Sequence, residues 1–85
     1  MADTITKSID DSSWTEIASS GTAGIFTNNG SQVILIREAA SDPGTSVKTG
    51  HRLNITGFFR YLTTGSQKIF ARSKKGAGSV LVTPD

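Results

Sequence analysis

Short runs of β-branched and aromatic residues alternate with clusters of turn-forming residues along this 85-residue chain. Glycine, asparagine, serine and proline gather at the interruptions, where they tolerate or preset the backbone angles that tight turns need. Runs this short, interrupted this regularly, are typical of a β-sandwich or small barrel. The predicted turns lie at residues 19–21, 28–31, 41–44, 63–66 and 74–78.

The runs between the turns are the candidate strands, and no segment shows the apolar period of a convincing amphipathic helix. The sequence therefore predicts an all-β fold in a single domain over residues 1–85. We expect a small antiparallel β-sandwich or flattened barrel of about seven short strands. The predicted strands are residues 4–9, 14–18, 22–27, 32–38, 53–62, 67–73 and 79–83.

Three of the turns are predicted to be hairpins that join consecutive strands within one sheet. Asn28-Asn29-Gly30-Ser31 gives the strongest signal, because asparagine and glycine tolerate the positive φ angles of tight hairpin turns. The turns at 64–66 and 76–78 are predicted to connect the last three strands. The C-terminal third of the chain is therefore predicted to be a three-stranded antiparallel meander.

Alternation along each run predicts which side chains face the core. The run Val33-Ile34-Leu35-Ile36 has no polar face, so we expect it at the centre of a sheet and covered on both sides. Several strands carry apolar groups on both faces, which leaves one face for the core and the other for a partner. The residues predicted to lie inside are Val33, Leu35, Ile55, Phe59, Ile69 and Val82.

The sequence gives no catalytic or metal-binding motif. His51 is the single histidine, and its sequence neighbours are basic, so nothing indicates a nucleophile–base–acid triad. One histidine and no cysteine do not supply a typical zinc site. Asp10 and Asp11 are adjacent and would point to opposite faces of a strand. We therefore expect a protein that is not an enzyme and that uses no metal or cofactor.

Charge is divided unevenly along the chain. Residues 1–47 hold two basic against six acidic residues, a net charge of −4, and residues 48–85 hold seven basic against one acidic residue, a net charge of +6. Such a division favours head-to-tail contact between copies, or docking on an acidic surface. The alternative is that strands from the two halves interleave, so that the charges mix in space.

Large aromatic side chains and arginines commonly anchor interfaces, and Trp14 is either such an anchor or an aromatic at the edge of the core. A nucleic-acid-binding β-barrel that uses Arg60, Lys68 and Arg72 is a second functional class. Because the net charge is only +2, we expect a protein partner instead. The predicted partner-binding residues are Trp14, Arg52, Arg60, Lys68, Arg72, Lys74 and Lys75.

Several short sequence motifs follow one another along the chain in a characteristic order. They are Trp14-Thr15-Glu16-Ile17-Ala18, the turn at 28–30, Val33-Ile34-Leu35-Ile36-Arg37-Glu38, Asp42-Pro43, Gly50-His51-Arg52-Leu53, Phe58-Phe59, Ile69-Phe70-Ala71-Arg72-Ser73 and Val80-Leu81-Val82-Thr83-Pro84. In this order the chain resembles small β-rich virion structural proteins of tailed bacteriophages, over residues 14–84. The resemblance implies a capsid decoration or cement subunit that binds the major capsid protein or another virion protein. A tail or fibre accessory protein is the alternative.

The resemblance also implies assembly into virions in the cytoplasm of a bacterial host. No signal peptide or membrane segment is visible in the sequence, so we expect no membrane partner. A homo-oligomer such as a trimer is expected, because a small domain gains core from its neighbours. Residues 1–11 are predicted either to form an arm that orders on a neighbouring copy or to complete the sheet of their own subunit.

Overall fold

A computed structural model describes residues 4–84, without the side chain of Phe59. β-Branched and aromatic residues at alternate positions favour the extended backbone, and turn residues end each run. Eight strands form within the described range. They are β1 (Ile5–Ile9), β2 (Thr15–Ala18), β3 (Ala23–Asn28), β4 (Ile34–Ala39), β5 (His51–Leu53), β6 (Phe58–Leu62), β7 (Lys68–Ser73) and β8 (Gly78–Pro84).

The strands form two four-stranded antiparallel sheets that pack face to face. Sheet 1 has the order β1-β8-β3-β6, and sheet 2 has the order β2-β7-β4-β5. Within residues 4–84, β4 and β5 are the one consecutive pair that lies in the same sheet. This strand order is that of a jelly roll, in which two Greek keys wrap into a double-sheet sandwich. The predicted all-β sandwich is confirmed, with one strand more than the sequence indicated.

The core lies between the inner faces of the two sheets. Phe26 of β3 is fully buried there and stacks on Tyr61 of β6, with ring centroids 4.1 Å apart. Gly24 lies on the same inner face, where an added Cβ would approach the carbonyl oxygen of Thr83 and the Tyr61 hydroxyl closely. The buried cluster comprises Ile9, Ile17, Ala18, Phe26, Ile34, Ile36, Leu53, Tyr61, Ile69, Ala71, Val80 and Val82.

The predicted hairpins are wrong, although the chain does turn where they were expected. The segment at 28–31 leads from β3 in sheet 1 to β4 in sheet 2. Gly65 and Gly76 have the positive φ angles of tight turns, 60° and 73°, yet each turn also carries the chain from one sheet to the other. The C-terminal third is therefore not a meander, because β6 and β8 belong to sheet 1 and β7 lies in sheet 2.

The long strand predicted at residues 53–62 is two strands joined by a turn. β5 ends at Leu53 and β6 begins at Phe58, and Gly57 N–H donates to the carbonyl of Asn54 at 2.8 Å across the turn. Ile55 lies in this turn and is 48% exposed. The prediction that Ile55 belongs to the core is therefore wrong, because the alternation does not run through the turn.

The prediction of which residues of the apolar run 33–36 face the core is wrong, because the other alternate set is buried. Ile34 and Ile36 fill the core, whereas Val33 and Leu35 are half-buried. β4 does lie between two other strands, β7 and β5, so the predicted central position is confirmed. Of the other predicted core residues, Ile69 and Val82 are buried. The prediction for Phe59 falls on a side chain outside the described part.

The two halves of the chain interleave completely. In both sheets each strand from residues 1–47 lies beside a strand from residues 48–85, so the acidic and basic halves do not form separate poles. β1 pairs with β8 of the same chain in antiparallel register, and Ile9 is buried in the core. Within this chain, residues 5–9 therefore complete their own sheet; residues 1–3 lie outside the described range.

Candidate protein-docking site

The outer side of sheet 1 exposes apolar side chains, and we call it the open face. Alternation along β6 places Phe58, Arg60 and Leu62 on this side, opposite to the buried Tyr61. Phe58 and Leu62 are each 70% exposed. Ile25 of β3 lies beside Arg60 in the register and is half-buried. Exposed apolar side chains grouped in this way mark interaction surfaces more often than scattered ones do.

Beside the open face, a groove of about 720 Å³ runs between the edge strands β5 and β6. Its floor is apolar, because the inner faces of both sheets reach it with side chains that also belong to the core. The floor residues are Ile36, Leu53, Tyr61 and Ile69.

Charged side chains line the rim of this groove. They are Arg37, Glu38, His51, Arg52 and Arg60. Three arginines against one glutamate give the rim a net charge of +2 when His51 is neutral. Arg37 also binds within the chain, because its Nη1 lies 3.1 Å from the carbonyl oxygen and 3.0 Å from the hydroxyl of Thr49. The groove therefore combines an apolar floor with a basic rim.

Backbone hydrogen bonds fix the orientation of the edge strand β6. The N–H of Asn28 donates to the carbonyl of Gly57 at 2.8 Å, and the N–H of Thr63 donates to the carbonyl of Thr22 at 2.8 Å. These two bonds bracket the antiparallel register of β3 and β6. Because hydrogen-bonded and non-hydrogen-bonded pairs alternate along antiparallel strands, the odd-numbered residues of β6 are the ones that bond to β3.

The even-numbered residues of β6 consequently turn their backbone groups the other way. The N–H and C=O groups of Phe58 and Leu62 point to the edge of sheet 1, above the groove. An edge strand with such groups is a template for pairing with another chain, particularly where the side chains beside it are apolar. The geometry therefore presents main-chain donors and acceptors, exposed apolar groups and a groove at one place.

The part of the outer side of sheet 2 that carries Trp14, Phe70 and Arg72 is buried by the chain itself, and we call it the closed face. The connection between β4 and β5, residues 40–50, folds back over this side. The indole Nε1 of Trp14 donates to the carbonyl of Val47 at 2.8 Å, and the indole side chain is only 4% exposed. Trp14 and Phe70 are buried here, outside the core cluster.

Arg72 lies under the same segment. Its guanidinium donates to the carbonyls of Thr45 at 2.9 Å and Val47 at 3.0 Å, and also to the carbonyl of Asp11. It lies 6.0 Å from the ring centroid of Trp14 and is 5% exposed. The prediction that Trp14 and Arg72 bind a partner is therefore corrected: both side chains hold their own loop in place.

The remaining predicted partner-binding residues do not form one surface. Arg52 and Arg60 lie at the groove, while Lys68 lies 3.7 Å from the carboxylate of Glu16 on the closed side. Lys74 and Lys75 are exposed in the connection between β7 and β8. The three residues assigned to nucleic acid, Arg60, Lys68 and Arg72, are not brought together either, since Arg72 is buried.

Phe58 and Leu62 are the site residues that the predicted list lacked. The sequence signal that could have identified them is the alternation that groups them with Arg60.

Among residues 4–84, no group of three or more histidine, aspartate or glutamate side chains is arranged to hold a metal ion. No helix within that range is long and apolar enough to cross a membrane.

Asp10 begins the turn between β1 and β2, close to the closed face. Its carboxylate accepts hydrogen bonds from the hydroxyl of Ser12 at 2.9 Å, the N–H of Ser12 at 3.0 Å and the N–H of Ser13 at 3.1 Å. These bonds favour the ionised form, so they lower the pKa of Asp10 below its ordinary value, with the hydroxyl of Ser12 as the largest cause. The carboxylate therefore acts as a structural cap of this turn.

Comparison with protein-family models, with curated proteins and with solved structures finds no match to this chain.

Proposed function

We propose that this chain is a structural protein of a tailed-bacteriophage virion, most simply a capsid decoration or cement subunit that binds assembled coat protein. It acts by binding and not by catalysis. The observation that carries the proposal is the open face, where Phe58 and Leu62 are each 70% exposed beside an apolar groove. Such side chains are costly to leave in water, and a protein partner would cover them.

The fold supports the proposal by analogy. The jelly-roll strand order recurs in viral capsid proteins, and also in lectins and cupins. Because one fold hosts many functions, the strand order adds weight only together with the open face. The resemblance of residues 14–84 to small phage virion proteins points the same way.

The charge around the groove indicates the nature of the partner surface. Arg52 and Arg60 outnumber Glu38 among the exposed charges of the rim. Opposite charge on a partner steers association and fixes orientation. We therefore expect the covered surface of the coat protein to be acidic, and binding to weaken as salt is raised.

Co-purification with intact particles of the phage whose genome encodes the chain tests this proposal. Wild-type protein should bind particles and should saturate at a fixed number of copies for each particle. Immunogold labelling then separates the head from the tail or fibres. Labelling on the tail would favour the accessory alternative, and no association at low salt would contradict both.

A matched pair of variants connects particle binding to the open face. The double variant Phe58→Ser/Leu62→Ser should lose binding, because it removes the exposed apolar groups of β6. Ile5→Ser is the control, since Ile5 is also an exposed large apolar residue but lies on β1, at the opposite edge of the same sheet. Equal binding by the two variants would remove the open face from the proposal.

A further inference from the structure

We propose that β6 binds an extended segment of a partner protein by strand addition, as a fifth strand of sheet 1. The segment has apolar side chains at alternate positions and carboxylates between them. This inference deepens the proposed function, on which it rests for the identity of the partner. It concerns how the partner is held: by main-chain pairing at one edge, with the neighbouring groove accepting alternate side chains.

Main-chain geometry is the first argument. The backbone groups of Phe58 and Leu62 point away from β3 and toward the edge of the sheet, as the hydrogen bonds at both ends of the β3–β6 pair require. A strand laid along this edge would lie about 4.8 Å from β6. That position is over the mouth of the groove between β5 and β6.

The shape and polarity of the groove are the second argument. Every second side chain of an added strand would point inward, toward the apolar floor of Ile36, Leu53 and Ile69. The intervening side chains would lie beside Phe58, Arg60 and Leu62 on the open face. An alternating sequence with apolar residues inward therefore satisfies both sides of the strand.

Like charges disfavour the pairing of β6 with the β6 strand of a second copy of this chain. If two β6 strands paired antiparallel about Arg60, Phe58 would face Leu62 of the other copy and the two Arg60 side chains would be directly opposite. Like charges at directly opposite positions destabilise a strand pair. With a net charge of +2 on the rim of the groove, a segment carrying glutamate or aspartate is favoured instead.

A pair of synthetic peptides tests this inference directly. The probe is a capped peptide of alternating valine and glutamate that is slightly longer than β6, and the control replaces each glutamate with lysine. In a titration followed by ¹H–¹⁵N NMR, the glutamate peptide should shift the amides of residues 57–63 and slow hydrogen exchange at Phe58 and Leu62. The lysine peptide should bind at least about tenfold more weakly at low salt.

Proline variants separate main-chain pairing from side-chain contact. Phe58→Pro removes an edge-facing N–H and no bond to β3, and proline is tolerated at the first residue of a strand. Its control is Phe58→Ala, which loses the ring but keeps the N–H. Leu62→Pro and Leu62→Ala repeat the comparison at the other end of β6, should one proline variant fail to fold. The proline variants should bind the glutamate peptide at least about tenfold more weakly than their alanine controls.

The outcomes separate this inference from the proposed function. If wild-type protein binds phage particles and the folded proline variants bind particles and peptide as well as their alanine controls do, strand addition is wrong and the proposed function stands. If wild-type protein binds no particles, the proposed function fails, and the peptide titration still decides strand addition. A self-associated β6 dimer that the glutamate peptide does not displace would also overturn it.

Discussion

The two outer faces of the sandwich carry similar types of residue but differ in how far these residues are exposed. The outer side of sheet 2 carries Trp14, Phe70 and Arg72, and that of sheet 1 carries Phe58, Arg60 and Leu62. On the closed face the carbonyls of the segment at residues 40–50 accept hydrogen bonds from Trp14 and Arg72. On the open face Phe58 and Leu62 remain exposed.

Composition therefore does not distinguish a buried structural cluster from an exposed apolar surface in this protein. An arginine beside aromatic residues is typical of interface anchors, yet the same pair can equally fix a loop. The difference lies in whether the chain supplies carbonyl groups over the face. Residues 40–50 supply them to sheet 2, so Arg72 is satisfied internally.

The largest expected difference between the two faces is the change in the free energy of unfolding when one aromatic residue on each is truncated. Trp14→Ala should lower the free energy of unfolding by about 3–5 kcal/mol, because a buried aromatic and its bond to Val47 are both lost. Phe58→Ala should change it by no more than about 0.5 kcal/mol, because the ring is exposed. Urea denaturation of both variants measures this. Equal losses would mean that the two faces are packed alike.

Substitution of Arg72 should give the next largest change in stability, and Arg52 in the same sheet is its control. Arg72→Met should lower the free energy of unfolding by about 2–3 kcal/mol, because the carbonyls of Thr45, Val47 and Asp11 lose a charged donor. Arg52→Met should cost no more than about 0.5 kcal/mol, although Arg52 and Arg72 flank the same residue, Leu35, in sheet 2. Arg52 is exposed, and Arg72 is buried.

The conservative variant Arg72→Lys sharpens the same comparison. A lysine keeps the charge but has no planar fork of donors, so it cannot reach carbonyls of separate segments together. We expect it to recover less than half of the lost stability. Full recovery in urea denaturation would show that charge alone, without the geometry of the bonds to Asp11, Thr45 and Val47, holds the loop.

A smaller effect is expected on the open face itself. Phe58→Ser/Leu62→Ser should lower the fluorescence of a bound hydrophobic dye such as ANS, which reports exposed apolar surface. The free energy of unfolding should stay within about 0.5–1 kcal/mol of wild type, because both residues are exposed. Ile55→Ser in the adjacent turn is the control. Unchanged dye binding would show that the open face is not the main apolar surface in solution.

The sequence predicted the local features well and the pairing of the strands poorly. Turn residues such as Gly65 and Gly76 mark where the chain reverses, and both do have positive φ angles. They carry no information on whether the next strand pairs in the same sheet or crosses to the other. In a jelly roll nearly all connections cross, so a hairpin interpretation fails even where the turn is placed correctly.

Two errors about burial have equally local causes. Every residue of the run at 33–36 is apolar, so both parities look equally suited to the core, and only the packing of the opposite sheet selects Ile34 and Ile36. The turn after β5 includes Thr56 at a φ of 64°, which is uncommon for a β-branched residue. The residue types there signal a turn only weakly, so the alternation predicts a core position for Ile55 that the turn does not allow.

The sequence predicted one part of the candidate site correctly and another part wrongly. Alternation placed Phe58, Arg60 and Leu62 together on one side of a strand, and the structure keeps them there. The burial of Trp14 and Arg72 depends on Thr45 and Val47, which lie 25 to 33 residues away in sequence and fold back onto the two side chains. No short-range pattern reports such a long-range contact, and so the sequence predicts a partner for two residues that bind within the chain.

The smallest expected effect concerns Asp10, in the turn that brings the carbonyl of Asp11 to Arg72 on the closed face. Its pKa is lowered in the folded protein, first by the hydroxyl of Ser12 and then by the N–H groups of Ser12 and Ser13. A carboxylate with a lowered pKa stabilises the fold above its ordinary pKa of 3.8, and this contribution disappears as the pH falls through the folded-state pKa.

Asp10→Asn keeps the acceptor oxygen and removes the charge. The variant should therefore be slightly less stable than wild type at pH 7, and the difference should shrink as the pH falls below 3.8. Urea denaturation at a series of pH values measures it, and Ser12→Ala should reproduce part of the loss by removing the strongest donor. A stability difference that stays constant down to the lowest pH would mean that the Asp10 charge does not hold this turn. The carbonyl of Asp11 would then reach Arg72 for reasons of packing alone.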